Sequence, residues 1–71
     1  MKQFKSIKKF NDDAWYVCYD GSSAFALLGM DCQEFLDEDP EINEVIDGPY
    51  DEDKVDVECE YWNNQICDWY N

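Results

Sequence analysis

The stretch AWYVCY, residues 14–19, decides the fold, because its aromatic and β-branched residues are typical of a well-buried β-strand. Residues 4–10, FKSIKKF, predict a preceding strand, and the turn-type cluster NDD at 11–13 joins the two. Phe4, Ile7 and Phe10 also fit the spacing of a helix. We favour the hairpin.

The residues that follow predict two short helical segments. Asp20-Gly21 ends the strand, and Ser22 or Ser23 can cap a helix. AFALLGM at 24–30 is apolar on every side, which indicates a segment buried all round. Asp31 and Glu34 have the spacing of a capping box, which predicts a further short turn.

A helix is predicted over residues 40–47, beginning at Asp39-Pro40 and ending at Gly48-Pro49. The segment 55–61, VDVECEY, alternates apolar and acidic residues, as a half-buried strand does. A three-residue loop at 63–65 would pair it with a last strand and keep each face consistent, whereas a two-residue loop would mix the faces. The sequence therefore predicts one α+β domain over residues 1–71, an antiparallel β-β-α-α-β-β sheet with helices on one face.

The charge of the chain is its most unusual property. Eighteen Asp and Glu oppose five Lys, with no Arg or His, for a net charge of −13. Four of the lysines lie in the first nine residues. Direct binding to nucleic acid or to an anionic membrane requires Lys and Arg, so this charge excludes both. A partner is therefore expected to be basic.

The sequence offers little that could support catalysis. Without His or Arg, it lacks the usual general bases and the groups that clamp an oxyanion or phosphate. The four cysteines show no C-x-x-C pair, and the acids do not follow the EF-hand spacing. We expect no enzyme activity, no cofactor and no bound metal. With no apolar span and no apolar secretory region, we expect a soluble cytoplasmic protein with reduced, mostly buried thiols.

The candidate functional site is an acidic surface with aromatic side chains among the carboxylates. Acids on alternate residues of a strand would lie about 6.6 Å apart on one face, on the scale of successive phosphates. Tyr50, Trp62 and Tyr70 fall at predicted loop or end positions, and Tyr and Trp are favoured anchors in protein interfaces. The predicted partner-binding residues are Asp37, Glu38, Asp39, Glu41, Glu44, Asp47, Tyr50, Asp51, Glu52, Asp53, Asp56, Glu58, Glu60, Trp62 and Asp68.

The segments DEDPEINEVIDGPYDED (37–53) and VDVECEYW (55–62) give the chain a resemblance to a class of proteins. In size and charge it resembles the nucleic-acid-mimicking inhibitors of phages and mobile elements, which include anti-CRISPR, anti-restriction and DNA-glycosylase inhibitor proteins. The resemblance implies an inhibitor that blocks the basic DNA- or RNA-binding groove of a host-defence nuclease complex. We expect it to act as a monomer, with a dimer as the alternative state.

Two other interpretations remain open at the level of sequence. An immunity-type protein that neutralises a toxin nuclease would use the same charge complementarity on a different partner. A protein from a salt-adapted organism would carry acids for solubility alone. Genomic neighbours would separate these interpretations.

Overall fold

The computed structural model describes residues 6–69, which form three strands and two helices. In chain order they are β1 (Trp15–Tyr19), β2 (Ala24–Leu28), α1 (Gly29–Glu38), β3 (Glu44–Tyr50) and α2 (Glu52–Trp69). The strands form one antiparallel sheet in the order β2-β1-β3. The predicted α+β class, its small antiparallel sheet and the strand at 14–19 are confirmed.

The central strand β1 is apolar on both faces because both faces of the sheet are covered. Val17 and Tyr19 belong to a core cluster with Val55 and Ile66 of α2. Tyr16 and Cys18 face the other way, into a cluster that includes Cys32 and Phe35 of α1. A strand covered on both sides shows no polar alternation. The helices therefore lie on opposite faces of the sheet, which differs from the predicted placement on one face.

Residues 24–28 form β2, so the helical interpretation of 24–30 is wrong for this part and holds only for Gly29 and Met30, which begin α1. An apolar run of this length fits a buried strand as well as a helix, and pairing with β1 decides between them. Asp20 accepts hydrogen bonds from the backbone N–H groups of Ser22 and Ser23 at 3.0 and 3.1 Å. These serines therefore lie in the hairpin loop and cap no helix. Gly21 has a φ of +92°, the left-handed conformation that favours glycine.

The capping box at Asp31 is also wrong as a helix start. The helix α1 begins two residues earlier, at Gly29, and Leu28 precedes it without a side-chain cap. Gly29 is buried, and a Cβ there would overlap the backbone carbonyl oxygen of Asn11. This close approach seats the segment before β1 against the start of α1.

The predicted helix over residues 40–47 is replaced by a turn and the strand β3. Val45 and Ile46 are both buried, Val45 on the α1 side of the sheet and Ile46 on the α2 side. Consecutive side chains point to opposite faces in a strand, which places Val45 and Ile46 on opposite sides of the sheet. β3 continues through the Gly48-Pro49 peptide bond, which is cis.

The two predicted strands at the end of the chain are wrong, since residues 52–69 form α2. Its buried and half-buried contacts with the sheet come from Val55, Cys59, Trp62 and Ile66. Their spacings of four, three and four residues are those of a helix face. Asp51 caps the helix by accepting a hydrogen bond from the Lys54 N–H at 2.8 Å.

The segment before β1 is not a strand within the described residues. Ile7 donates one backbone hydrogen bond to Val45 at 2.9 Å, and the Phe10 ring meets Tyr16 edge-on at 5.4 Å. Residues 4 and 5 of the predicted strand lie outside the described part of the chain. The segment packs beside α1 and completes that side of the core.

Candidate functional site

The carboxylates lie almost entirely on the surface. All eighteen fall within the described residues; fourteen are exposed and four, Asp39, Glu44, Asp47 and Glu58, are half-buried. Within residues 6–69 the one ion pair joins the Lys54 ammonium to the Glu58 carboxylate at 3.4 Å. Within this part of the chain, most of the carboxylates therefore have no cation paired with them.

Twelve of the fifteen predicted site residues form two groups, one near the end of α1 and one along α2, and these helices lie on opposite faces of the sheet. One group lies at the end of α1, in the following turn and at the start of β3. The other runs from the residue before α2 along that helix. In that order, the first group is Asp37, Glu38, Asp39, Glu41 and Glu44, and the second is Asp51, Glu52, Asp53, Asp56, Glu58, Glu60 and Asp68.

The predicted row of strand carboxylates is wrong, because Asp56, Glu58 and Glu60 lie on α2. Residues two apart on a helix point about 200° apart, not in one direction. Asp56 and Glu60, four residues apart, share one side and are exposed. Glu58 points elsewhere and pairs with Lys54. The carboxylates of α2 therefore follow a helical surface.

Three predicted site residues, Asp47, Tyr50 and Trp62, form a hydrogen-bonded cluster between β3 and α2. One oxygen of the Asp47 carboxylate accepts bonds from the Tyr50 hydroxyl at 2.8 Å and the Trp62 indole N–H at 3.0 Å. The other oxygen accepts the Gly48 N–H at 3.0 Å. Burial and the neighbouring Asp47 carboxylate raise the pKa of Tyr50. Both rings pack against the core, so this cluster holds α2 to the sheet. Tyr70 lies outside the described residues.

Two exposed apolar side chains on α2 were not predicted as site residues. Val57 is 59% exposed and Tyr61 is 53% exposed. The strand interpretation assigned them to the buried side, because they alternate with acids. On a helix, their spacing of four residues would have placed them together on one side. That side faces solvent, because the residues that pack on the sheet lie on the other.

A shallow groove between β2 and α1 is a second feature that the sequence did not reveal. Its volume is about 460 Å³, its apolar lining comes from Phe25, Leu27 and Phe35, and three carboxylates of α1 border it. These are Asp31, Glu34 and Glu38. Only Glu38 was among the predicted residues, since the others lay in a segment assigned to helix capping.

Two of the four thiols, Cys18 and Cys59, are poorly suited to nucleophilic chemistry. All four cysteines are free; Cys18 and Cys32 are buried, Cys59 is half-buried and Cys67 is exposed. A hydrogen bond with Cys32, reinforced by burial, raises the pKa of Cys18. Burial and the carboxylates of Asp56, Asp47 and Glu58 raise the pKa of Cys59 to about 11. Both of these thiols therefore stay protonated near neutral pH.

The described residues contain no group of three or more Cys, Asp or Glu side chains arranged to hold a metal ion. Neither helix of the described chain has the length and apolar character needed to cross a membrane. Comparison of the chain with protein-family models, with curated proteins and with solved structures gives no match.

Proposed function

We propose that the protein is a non-catalytic inhibitor that mimics nucleic-acid phosphates and occupies the basic DNA- or RNA-binding groove of a host-defence nuclease complex. The observation that carries the proposal is the display of eighteen carboxylates, none of them buried, with one described ion pair among them. Such a surface is attracted to clustered Lys and Arg and is repelled by nucleic acid.

The density of this charge supports mimicry. The longest dimension of the fold is 35 Å and the net charge is −13, about one negative charge per 2.7 Å. Duplex DNA carries about one per 1.7 Å of helix axis. The protein thus approaches the linear charge density of the ligand that it would replace, on a folded surface.

The mechanism is occupation of the groove, and no bond is made or broken. Complementary charge would accelerate association by about 10- to 1,000-fold. Exposed ion pairs contribute only about 0.2–1 kcal/mol each, so apolar contacts must supply much of the affinity. We place this action in the cytoplasm of the cell that holds the nuclease. Self-repulsion favours a monomer.

The test uses purified RNA-guided nucleases and restriction endonucleases with labelled substrate DNA. We expect the protein to block DNA binding by at least one of them, with competitive kinetics. Inhibition should weaken steeply as salt rises from 50 to 300 mM, because screening shortens the electrostatic range to about 8 Å at physiological ionic strength. Detection of a ternary complex of inhibitor, nuclease and DNA at saturation would exclude groove occupation.

A further inference from the structure

The solvent side of α2 combines apolar and acidic side chains in one surface. Val57 and Tyr61 lie one helical turn apart and are 59% and 53% exposed. At 100° per residue, Val57 points roughly opposite the side chains that pack on the sheet, Val55 and Ile66 among them. Val57 and Tyr61 are therefore not required to attach α2 to the sheet.

Exposed carboxylates surround this apolar pair. Asp53, Asp56, Glu60 and Asp68 are all exposed on α2. Lys54, the sole lysine of the helix, is held by Glu58 along one flank. We define the outer face of α2 as Asp53, Asp56, Val57, Glu60, Tyr61 and Asp68. It presents an apolar centre with an acidic rim, and the helix extends for about 27 Å at about 1.5 Å per residue.

We infer that the outer face of α2 is the contact surface for the nuclease, and that it inserts into the basic cleft with Val57 and Tyr61 at the centre of the interface. This inference rests on the proposed function and specifies which side of the molecule performs it. Charge complementarity identifies the occupant: a cleft lined by Lys and Arg that also offers an apolar patch. A second copy would bring two acidic rims together, which repulsion opposes.

The apolar pair explains how such a surface could bind tightly. Interface energy concentrates in a few central side chains, Tyr prominent among them, and the surrounding contacts mainly exclude water. The Tyr61 ring is supported by edge-on contact with Trp62 at 5.7 Å, and Trp62 is itself held by Asp47. A ring fixed in this way loses less conformational freedom on binding than a free one.

The other acidic helix serves as an internal control. It is shorter, at ten residues, and its exposed apolar residue Met30 lies at its start without an apolar neighbour one turn away, where Glu34 is found. The variants Asp56→Lys/Glu60→Lys on α2 and Asp31→Lys/Glu34→Lys on α1 each reverse two exposed acids that lie within one helical turn of each other. They change the net charge equally, on opposite faces of the sheet.

A second matched pair of variants tests the contribution of the apolar side chains to binding. Val57→Ala/Tyr61→Ala truncates the centre of the α2 surface, while Met30→Ala/Ile42→Ala truncates two comparably exposed side chains elsewhere, 64% and 49% exposed. Binding of each variant is measured against the same purified RNA-guided nucleases and restriction endonucleases, with thermal melts to confirm folding. If loss of the Tyr61 ring impairs folding, the single variant Val57→Ala replaces the double one.

We expect both α2 variants to weaken Kd at least tenfold for the nuclease that wild type inhibits, and both controls to change it less than threefold. Equal losses in the α1 charge variant, or retention of affinity by the α2 variants, would overturn the inference and leave competitive inhibition intact. Loss confined to the α2 variants, together with a ternary complex containing DNA, would support the contact face and overturn the proposed function. Absence of wild-type binding to every nuclease tested would overturn both.

Discussion

The two helices are attached to the two faces of the sheet in different ways. On one face, α1 is held mainly by apolar packing of Cys32 and Phe35, with Phe35 meeting the Phe25 ring edge-on at 5.2 Å. On the other face, α2 combines an apolar stripe with polar contacts to both edge strands. A helix fixed by directional bonds has a defined rotation, so its outer surface is presented in a fixed orientation.

The two polar contacts of α2 come from consecutive residues. The Trp62 indole donates to Asp47 of β3 at 3.0 Å. The Asn63 amide spans the backbone of Ala24 in β2, accepting from its N–H at 2.7 Å and donating to its carbonyl at 3.0 Å. Because β2 and β3 are the opposite edges of the sheet, α2 is tied across its whole width. The Asn63 contact also occupies backbone groups on an edge strand, where another chain could otherwise pair.

Removal of the Asp47 carboxylate, at the β3 edge, is the strongest test of whether polar contacts attach α2 to the sheet. Asp47→Ala leaves the Tyr50 hydroxyl and the Trp62 indole N–H without their acceptor in a half-buried site. Unsatisfied groups cost about 1–3 kcal/mol each when buried, so we expect a loss of about 2–3 kcal/mol in the free energy of unfolding, measured in urea. Asp56→Ala, which removes an exposed carboxylate from α2, should change it by less than about 0.5 kcal/mol. Equal effects would mean that the cluster does not hold α2.

The contact of α2 with β2, at the opposite edge of the sheet, can be tested with a closely matched control. Asn63→Ala removes both hydrogen bonds to Ala24, which is buried, and we expect a loss of about 1–2 kcal/mol. Asn64→Ala makes the same chemical change at the next residue, which is exposed. Both substitutions improve helix propensity similarly, so the difference between their urea midpoints isolates the contact. Identical midpoints would show that the amide contributes nothing to the attachment of α2.

The sequence was sufficient to predict secondary structure where composition and burial agreed. Residues 14–19 are apolar throughout, and β1 is the central strand of the sheet, covered on both faces. The sequence did not predict the secondary structure of residues 55–61 correctly. Their strict alternation of apolar and acidic residues matches the period of a strand, whereas the contacts that form with the sheet follow the period of a helix. The deciding residues, Trp62 and Ile66, lie beyond the alternating segment. Recognition of α2 therefore required a longer window than the motif itself.

Part of the candidate site could be predicted and part could not. The exposure of the acids follows from their chemistry, because unpaired charges are not buried. The division between two faces depends on whether α2 is a helix. Asp47 and Trp62 were assigned to a binding surface because both residue types suit one, yet hydrogen bonding directs them inward. Val57 and Tyr61 were overlooked for the converse reason, since apolar residues were assumed to face the core.

The smallest expected effect concerns the thiols on the two faces at alkaline pH. The pKa of Cys59, on the α2 side, is raised from 9.0 to about 11 by burial and by the carboxylates of Asp56, Asp47 and Glu58. Between these values the folded protein binds more protons than the unfolded chain, so stability is present below pH 9 and is lost as pH rises through 11. Cys59→Ala should therefore make the decline of unfolding free energy with pH less steep, by a fraction of one proton.

The slope that remains in Cys59→Ala comes from the other groups with shifted pKa values, which include Tyr50 on the α2 side and the buried thiols on the α1 side. The pKa of Cys18, on the α1 side, is raised by its hydrogen bond with Cys32 and by burial, which adds a decline of the same sign. The same hydrogen bond lowers the pKa of Cys32, and this lowered pKa opposes the decline. Urea unfolding at several pH values between 8 and 11, at constant ionic strength, gives the slope of the unfolding free energy against pH for wild type and for Cys59→Ala. Val57→Ala, which removes no ionisable group, should keep the wild-type slope. An unchanged slope in Cys59→Ala would mean that neither burial nor the neighbouring carboxylates raise the pKa of this thiol, and that the alkaline decline arises from other groups such as Tyr50 and Cys18.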